Sequence, residues 1–143
     1  VNHRTLLLVA GVSFALLPAC DSTEKKEAEQ LVFAVERFRK ADNPSKPSAV
    51  DTLRAVRCSA TDVCRARDAC LASAEATSRA LRLKSEVEQG LLSLEKGTIT
   101  KESDEARALP FKLDEADGLL KEGFERLGPC DDQIMALRRK HSI

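Results

Sequence analysis

The chain has 143 residues, with 23 Lys plus Arg against 23 Asp plus Glu, so its formal net charge is zero. That length suits a single domain, and the balanced charge offers no electrostatic basis for binding nucleic acid. With no Trp, no Tyr, five Phe and only two His, aromatic cages, His-based catalysis and His-rich metal sites are not expected.

The first segment differs from everything that follows. His3 and Arg4 make a short basic start, and Thr5 to Ala19 carries no charge. The apolar run Leu6–Leu17 is shorter than the roughly 20 residues a spanning helix needs, and it fits the core of an export signal. It closes on Leu17-Pro18-Ala19-Cys20, immediately before a polar run. This ending resembles the lipobox of bacterial lipoproteins, an aliphatic residue and two small ones before the Cys that the class acylates, with Pro18 where Ala, Ser, Thr or Val is usual. The resemblance implies a signal peptide over 1–19, cleavage behind Ala19 and a lipidated Cys20 as the new N-terminus. It also implies a cell-envelope protein, lipid-anchored to a membrane and facing the periplasm. Asp21 resembles an inner-membrane retention signal, but that rule differs between bacterial groups, so inner and outer membrane both remain open.

Residues 20–27 read as the lipid anchor and a short polar tether, and the helical domain as 28–143. Ala28, Leu31, Val32, Val35 and Phe38 recur at the 3- and 4-residue spacing of one helix face. Asp42 to Ser48 contains Pro44 and Pro47 and reads as a loop. Ser48 is then the expected cap of a short helix through Arg57, carrying Val50, Leu53 and Val56 inward. After a break at Cys58–Ala60, Thr61 is placed to cap a long helix to Lys96, closed by Gly97.

That long helix carries two apolar stripes. Val63, Cys70, Ala74, Leu81 and Leu92 form one; Ala76, Ala80, Leu83, Val87, Leu91 and Leu94 form the other. A helix apolar on two faces is expected to lie between neighbours. After a turn at 97–100, Ala106, Leu109, Leu113, Ala116, Leu120, Phe124 and Leu127 predict another helix, kinked or newly started at Pro110. Gly128-Pro129 is read as its stop. Asp131 and Asp132 open a short last helix whose Arg138-Arg139-Lys140 end complements the helix dipole. With no β-type alternation, the expected fold is all-α: an antiparallel bundle of three main helices with short flanking ones.

The cysteines constrain that bundle. If Cys20 is acylated, Cys58, Cys64, Cys70 and Cys130 remain in an oxidising compartment. Pairing Cys64 with Cys70 along one helix fails, because six residues rise about 9 Å and a disulfide holds Cα atoms within about 7 Å. Residues equidistant from the turn of a helical hairpin lie side by side. Cys58 and Cys64 centre on Thr61, beside the break, and Cys70 and Cys130 centre on Thr100, inside the turn. Joining Cys64 to Cys130 would force Cys58 onto Cys70, whose midpoint falls within a helix. The expected bridges are therefore Cys58–Cys64 and Cys70–Cys130, so the bundle is disulfide-stapled. Cys-x5-Cys-x5-Cys does not match zinc spacing, and no metal or other cofactor is expected.

Nothing in the chain carries a recognisable reaction. Asp114, Glu115, Asp117, Glu122 and Glu125 interleave with Lys112, Lys121 and Arg126, the pattern of a solvated, ion-paired face. There is no nucleophile elbow, phosphate-binding loop or dinucleotide fingerprint. The reading is a lipid-anchored binding or scaffolding module without catalysis, with a protein partner. The alternative is a small-ligand carrier or envelope-stress sensor that holds a molecule between helices. The candidate partner surface joins Phe33, which faces away from its own helix's stripe, to whichever of Leu83, Val87 and Leu94 stays exposed.

Overall fold

The computed structural model describes residues 19–143, with side-chain surroundings from Thr23 onward. The expected signal segment up to Pro18 and the side chain of Cys20 lie outside the described residues. Five α-helices follow one another: α1 (Ala19–Lys40), α2 (Lys46–Arg54), α3 (Thr61–Glu95), α4 (Asp104–Glu125) and α5 (Leu127–His141). No strand occurs among the described residues, and none of their helices is long and apolar enough to cross a membrane. The fold is the all-α, disulfide-stapled helical bundle expected.

Prolines account for most of the shifted boundaries. A 3-10 turn at Asn43–Ser45, capped by Asp42 accepting from the Ser45 N–H at 3.0 Å, leads straight into α2. Pro47 sits in the first turn of α2, where its missing N–H has no intrahelical partner to lose. The stretch read as a loop thus starts a helix, and Ser48 caps nothing. Pro129 likewise lies in the first turn of α5, so Gly128-Pro129 begins a helix instead of stopping one. Only Arg126 separates α4 from α5. Pro110 alone is internal, within an unbroken α4. There it deprives the Ala106 carbonyl of its helical donor.

Three helix ends are satisfied locally. Ser103 caps α4 by accepting from the Ala106 N–H at 3.2 Å, with Asp104 and Glu105 in the first turn. Gly97, at φ +70°, closes α3 in the left-handed conformation, and the Thr98 N–H reaches back to the Ser93 carbonyl at 2.9 Å. Lys46 serves the end of α1. Its Nζ donates to the carbonyls of Phe38 and Ala41 at 2.7 and 3.0 Å and lies over the Phe38 ring. Burial pushes the Lys46 amine below the usual lysine range. Ala60, not Thr61, occupies the position before α3, and its side chain makes no cap.

The long α3 is the spine, about 52 Å at 1.5 Å per residue. Its lower half packs with α1, α2 and α5, and its upper half with α4. Leu31, Val35, Leu53, Val63, Cys70, Ile134 and Leu137 belong to the one buried cluster, which lies wholly in this four-helix base. Cys58–Cys64 ties the α2–α3 corner, with Cα atoms 5.2 Å apart. Cys70–Cys130 ties α3 to α5, with Cα atoms 4.5 Å apart. Both are the expected pairings.

Helix α1 begins well before the expected domain edge at Ala28. Glu27 accepts from the Ser59 N–H at 2.7 Å, and Glu24 pairs with Lys140. Residues 24–27 thus form part of the folded base. The polar composition that suggested a tether instead serves to pair this first part of α1 with its neighbours.

Candidate functional site

Above the base, α4 and the upper half of α3 form a two-helix arm. Its interior is thin: Ala76, Ala80, Leu83, Val87, Leu109 and Ala116 are buried, together with Gly90 and Gly123. The helices approach closely at the arm's root. A Cβ on Gly123 would lie 2.5 Å from Thr77 Oγ1 and 3.2 Å from the Ser73 carbonyl oxygen. The buried Ser73 hydroxyl donates to the Gly123 carbonyl at 2.7 Å. Small residues are needed here because backbone faces backbone.

Ion pairs run along both edges of this hairpin. Arg79 meets Glu115, Lys112 meets Glu86 at 2.7 Å, and Lys84 meets Asp117 at 3.2 Å. Within α4, Arg126 reaches Glu122 and Lys121 approaches Glu125. The acidic run of α4 is the solvated, paired face expected. The hydrogen bond from Lys112 holds the Glu86 carboxyl below the usual carboxylate range, despite some opposing burial.

The Lys84–Asp117 pair also marks one side of the arm, and apolar residues share that side. Leu91 lies seven residues after Lys84 on α3. Leu113 lies four before Asp117 and Phe124 seven after it on α4, both steps that return to the same helix face. All three are exposed, Phe124 to 77%. Leu92, Phe111 and Leu127 are exposed elsewhere on α3, on α4 and at the start of α5. Of the large apolar side chains exposed among the described residues, only Phe33 and Met135 lie away from the arm and its junction with α5.

The expected contact surface is therefore not assembled. Phe33 is 66% exposed, but on α1 in the base. Leu83 and Val87 are buried by α4, and Leu94 is half-buried. The stripe holding Leu83 and Val87 is the arm's interior seam, so it cannot also face a partner. Periodicity could identify that seam but not how many neighbours would cover the helix. The other α3 stripe is covered only in the base: Cys70 and Ala74 are buried there, whereas Leu92 higher up is exposed.

The hollow within the base, between Val35, Leu53, Cys70, Ala74 and Cys130, measures about 30 Å³. A water's share of liquid volume is about 30 Å³, whereas ligand pockets run to roughly 300–1,000 Å³. Larger hollows include a groove of about 320 Å³ between α2 and α3, lined by Arg54, Glu75, Arg79 and Arg82, and one of about 400 Å³ between α1 and α5, lined by Val32, Val35, Glu36, Ile134 and Arg138. The hydrogen bond to Glu75 raises the pKa of Arg54 on the first groove, keeping it cationic.

Comparison of the chain with protein-family models, with curated proteins and with solved structures finds no match.

Proposed function

We propose that this is a lipid-anchored cell-envelope module whose α3–α4 arm docks a protein partner, and that it catalyses no reaction. The supporting observation is the apolar side of the arm, Leu91, Leu113 and Phe124, open to solvent. Exposed clusters of this kind favour burial against another surface.

The lipobox resemblance supplies the orientation. Cys20 lies one helical turn before Glu24, and Lys140 brings Glu24 level with Asp62 in the first turn of α3. An anchor at Cys20 puts the beginning of α3 nearest the bilayer. The arm's tip at Gly97–Thr100 is then the membrane-distal end, about 50 Å along α3. The base anchors and the arm reaches.

Site-specific photo-crosslinkers placed at Leu113 or Phe124 in cells test the docking surface. The expected result is a discrete adduct from both positions that is lost with Leu91→Ser, and no such adduct from the exposed Glu29 of the base. Equal labelling from Glu29, or no adduct from the arm, contradicts the docking role. Cys20→Ser tests the anchor separately: the variant is expected to leave the detergent phase, and unchanged partitioning contradicts lipidation.

A further inference from the structure

A separate cluster lies at the lower end of the base, where residues far apart in the chain converge. Glu24 comes from α1, Asp62 from the first turn of α3, and His141 from the last turn of α5. One ligand atom from each lies within 4.8 Å of the other two. The His141 side chain is only 3% exposed, and its Nε2 stands 3.6 Å from Glu24 Oε1. Among the described residues Nε2 has no hydrogen-bond partner. A buried polar nitrogen left in this way is destabilising, and it faces two carboxylates.

The two carboxylates already share a cation. Lys140 Nζ donates to Asp62 Oδ2 at 2.8 Å and also to Glu24 Oε1. The hydrogen bond from Lys140 holds the Asp62 carboxyl below its usual range, while Asp62 and then Glu24 push the Lys140 amine above its own. The Lys140 side chain is half-exposed and flexible, so it can leave for solvent without unpacking the base. What it leaves behind is one imidazole nitrogen and two carboxylates.

We propose that Glu24, Asp62 and His141 form a binding site for a divalent transition-metal ion of the Zn²⁺ class, for which Lys140 is the built-in competitor. A mixed nitrogen and oxygen set suits Zn²⁺, whereas Mg²⁺ and Ca²⁺ prefer oxygen alone. Tetrahedral Zn²⁺ with bonds of about 2.0–2.1 Å sets its ligand atoms about 3.3 Å apart. The His141–Glu24 separation is already close to that, and the Asp62 oxygen, within 4.8 Å of both, has to move closer once Lys140 leaves. The ion satisfies Nε2, and its two charges balance the two carboxylates where one ammonium does not. Three protein ligands leave a fourth position for water or for a donor from a docked molecule. A bound ion would tie α1, α3 and α5 together at the end of the base opposite the arm.

Isothermal titration of the full chain in detergent micelles with ZnCl₂, with MgCl₂ as control, tests this directly. The expected result is one saturable Zn²⁺ site per chain, a higher melting temperature and no response to Mg²⁺. His141→Gln and, separately, Glu24→Gln each remove a direct ligand and are expected to weaken Zn²⁺ binding by more than the roughly 10- to 100-fold typical of losing an outer-shell partner. Lys140→Met, which removes the competitor and no ligand, is expected to tighten it. Absence of a saturable site, equal Zn²⁺ affinity in Glu24→Gln, or no tightening in Lys140→Met would each overturn the assignment.

Discussion

The base and the arm are built from the same kind of sequence yet owe their order to different things. Around the lower half of α3, three other helices close a shared core and two disulfides fix the corners. Around the upper half the main neighbour is α4, held by a narrow seam of small residues and by ion pairs at its edges. Burial of apolar area is the main stabilising term in water, so the base holds most of the fold's stability. Exposed ion pairs contribute little each, about 0–1 kcal/mol. The arm is the part of the molecule with apolar surface still to bury.

Cross-link removal should have the largest effect, and both cross-links lie in the base. The chain-entropy account gives roughly 3–5 kcal/mol for the Cys70–Cys130 bridge and about 2 kcal/mol for the short Cys58–Cys64 loop. Urea unfolding of Cys70→Ser/Cys130→Ser and of Cys58→Ser/Cys64→Ser is expected to show that order. Equal losses would contradict the dependence on loop length.

A smaller effect is expected at the arm's root. Gly123→Ala places a methyl against Thr77 Oγ1 and the Ser73 backbone, and strains the Ser73 hydroxyl bond to Gly123. Overpacking of this kind costs about 1–3 kcal/mol. Gly90→Ala meets only the flexible end of Leu109 and is expected to cost less. Melting temperatures of the two variants check the difference, and the reverse order would place the tight contact elsewhere.

Acid should loosen both regions slightly. Arg138 holds the Glu36 carboxyl low in the base, Lys140 does so for Asp62, and Lys112 for Glu86 in the arm. A carboxylate with a depressed folded pKa contributes stability above its unfolded value, and that contribution is lost as pH falls through the folded value. Lys140 has the opposite sign: its contribution is full below the ordinary lysine value and is lost as pH rises through its raised one. Melting temperature should therefore decline below about pH 4. Asp62→Asn should flatten the base's part of that decline and Lys112→Met the arm's part. An unchanged acid limb in both variants would assign it to other groups.

The class of fold was legible because apolar spacing reports a helix face directly. The disulfide pairing was legible too: hairpin symmetry about residues 97–100 allowed Cys130 to meet Cys70 or Cys64, and only the first left Cys58 a partner across a turn. The prolines misled at the helix boundaries. Pro47 and Pro129 signal a break in isolation, but a first turn needs none of the N–H groups they lack. Periodicity also says which residues share a face, not whether anything covers it. Leu113 and Phe124 therefore read as core although they are exposed, while Leu83 and Val87 read as candidate surface although α4 buries them. The meeting of Glu24, Asp62 and His141 had no local signal, because its members are joined only by tertiary structure.

Native-state hydrogen exchange across the chain tests the division into base and arm most directly. Amides of α4 and of α3 beyond about Ser78 are expected to exchange through an opening of lower free energy than those of α1, the lower half of α3 and α5. The slowest amides are expected around Leu31, Val63 and Leu137. Protection of α4 equal to that of the base, collapsing with it in one global step, would contradict the account.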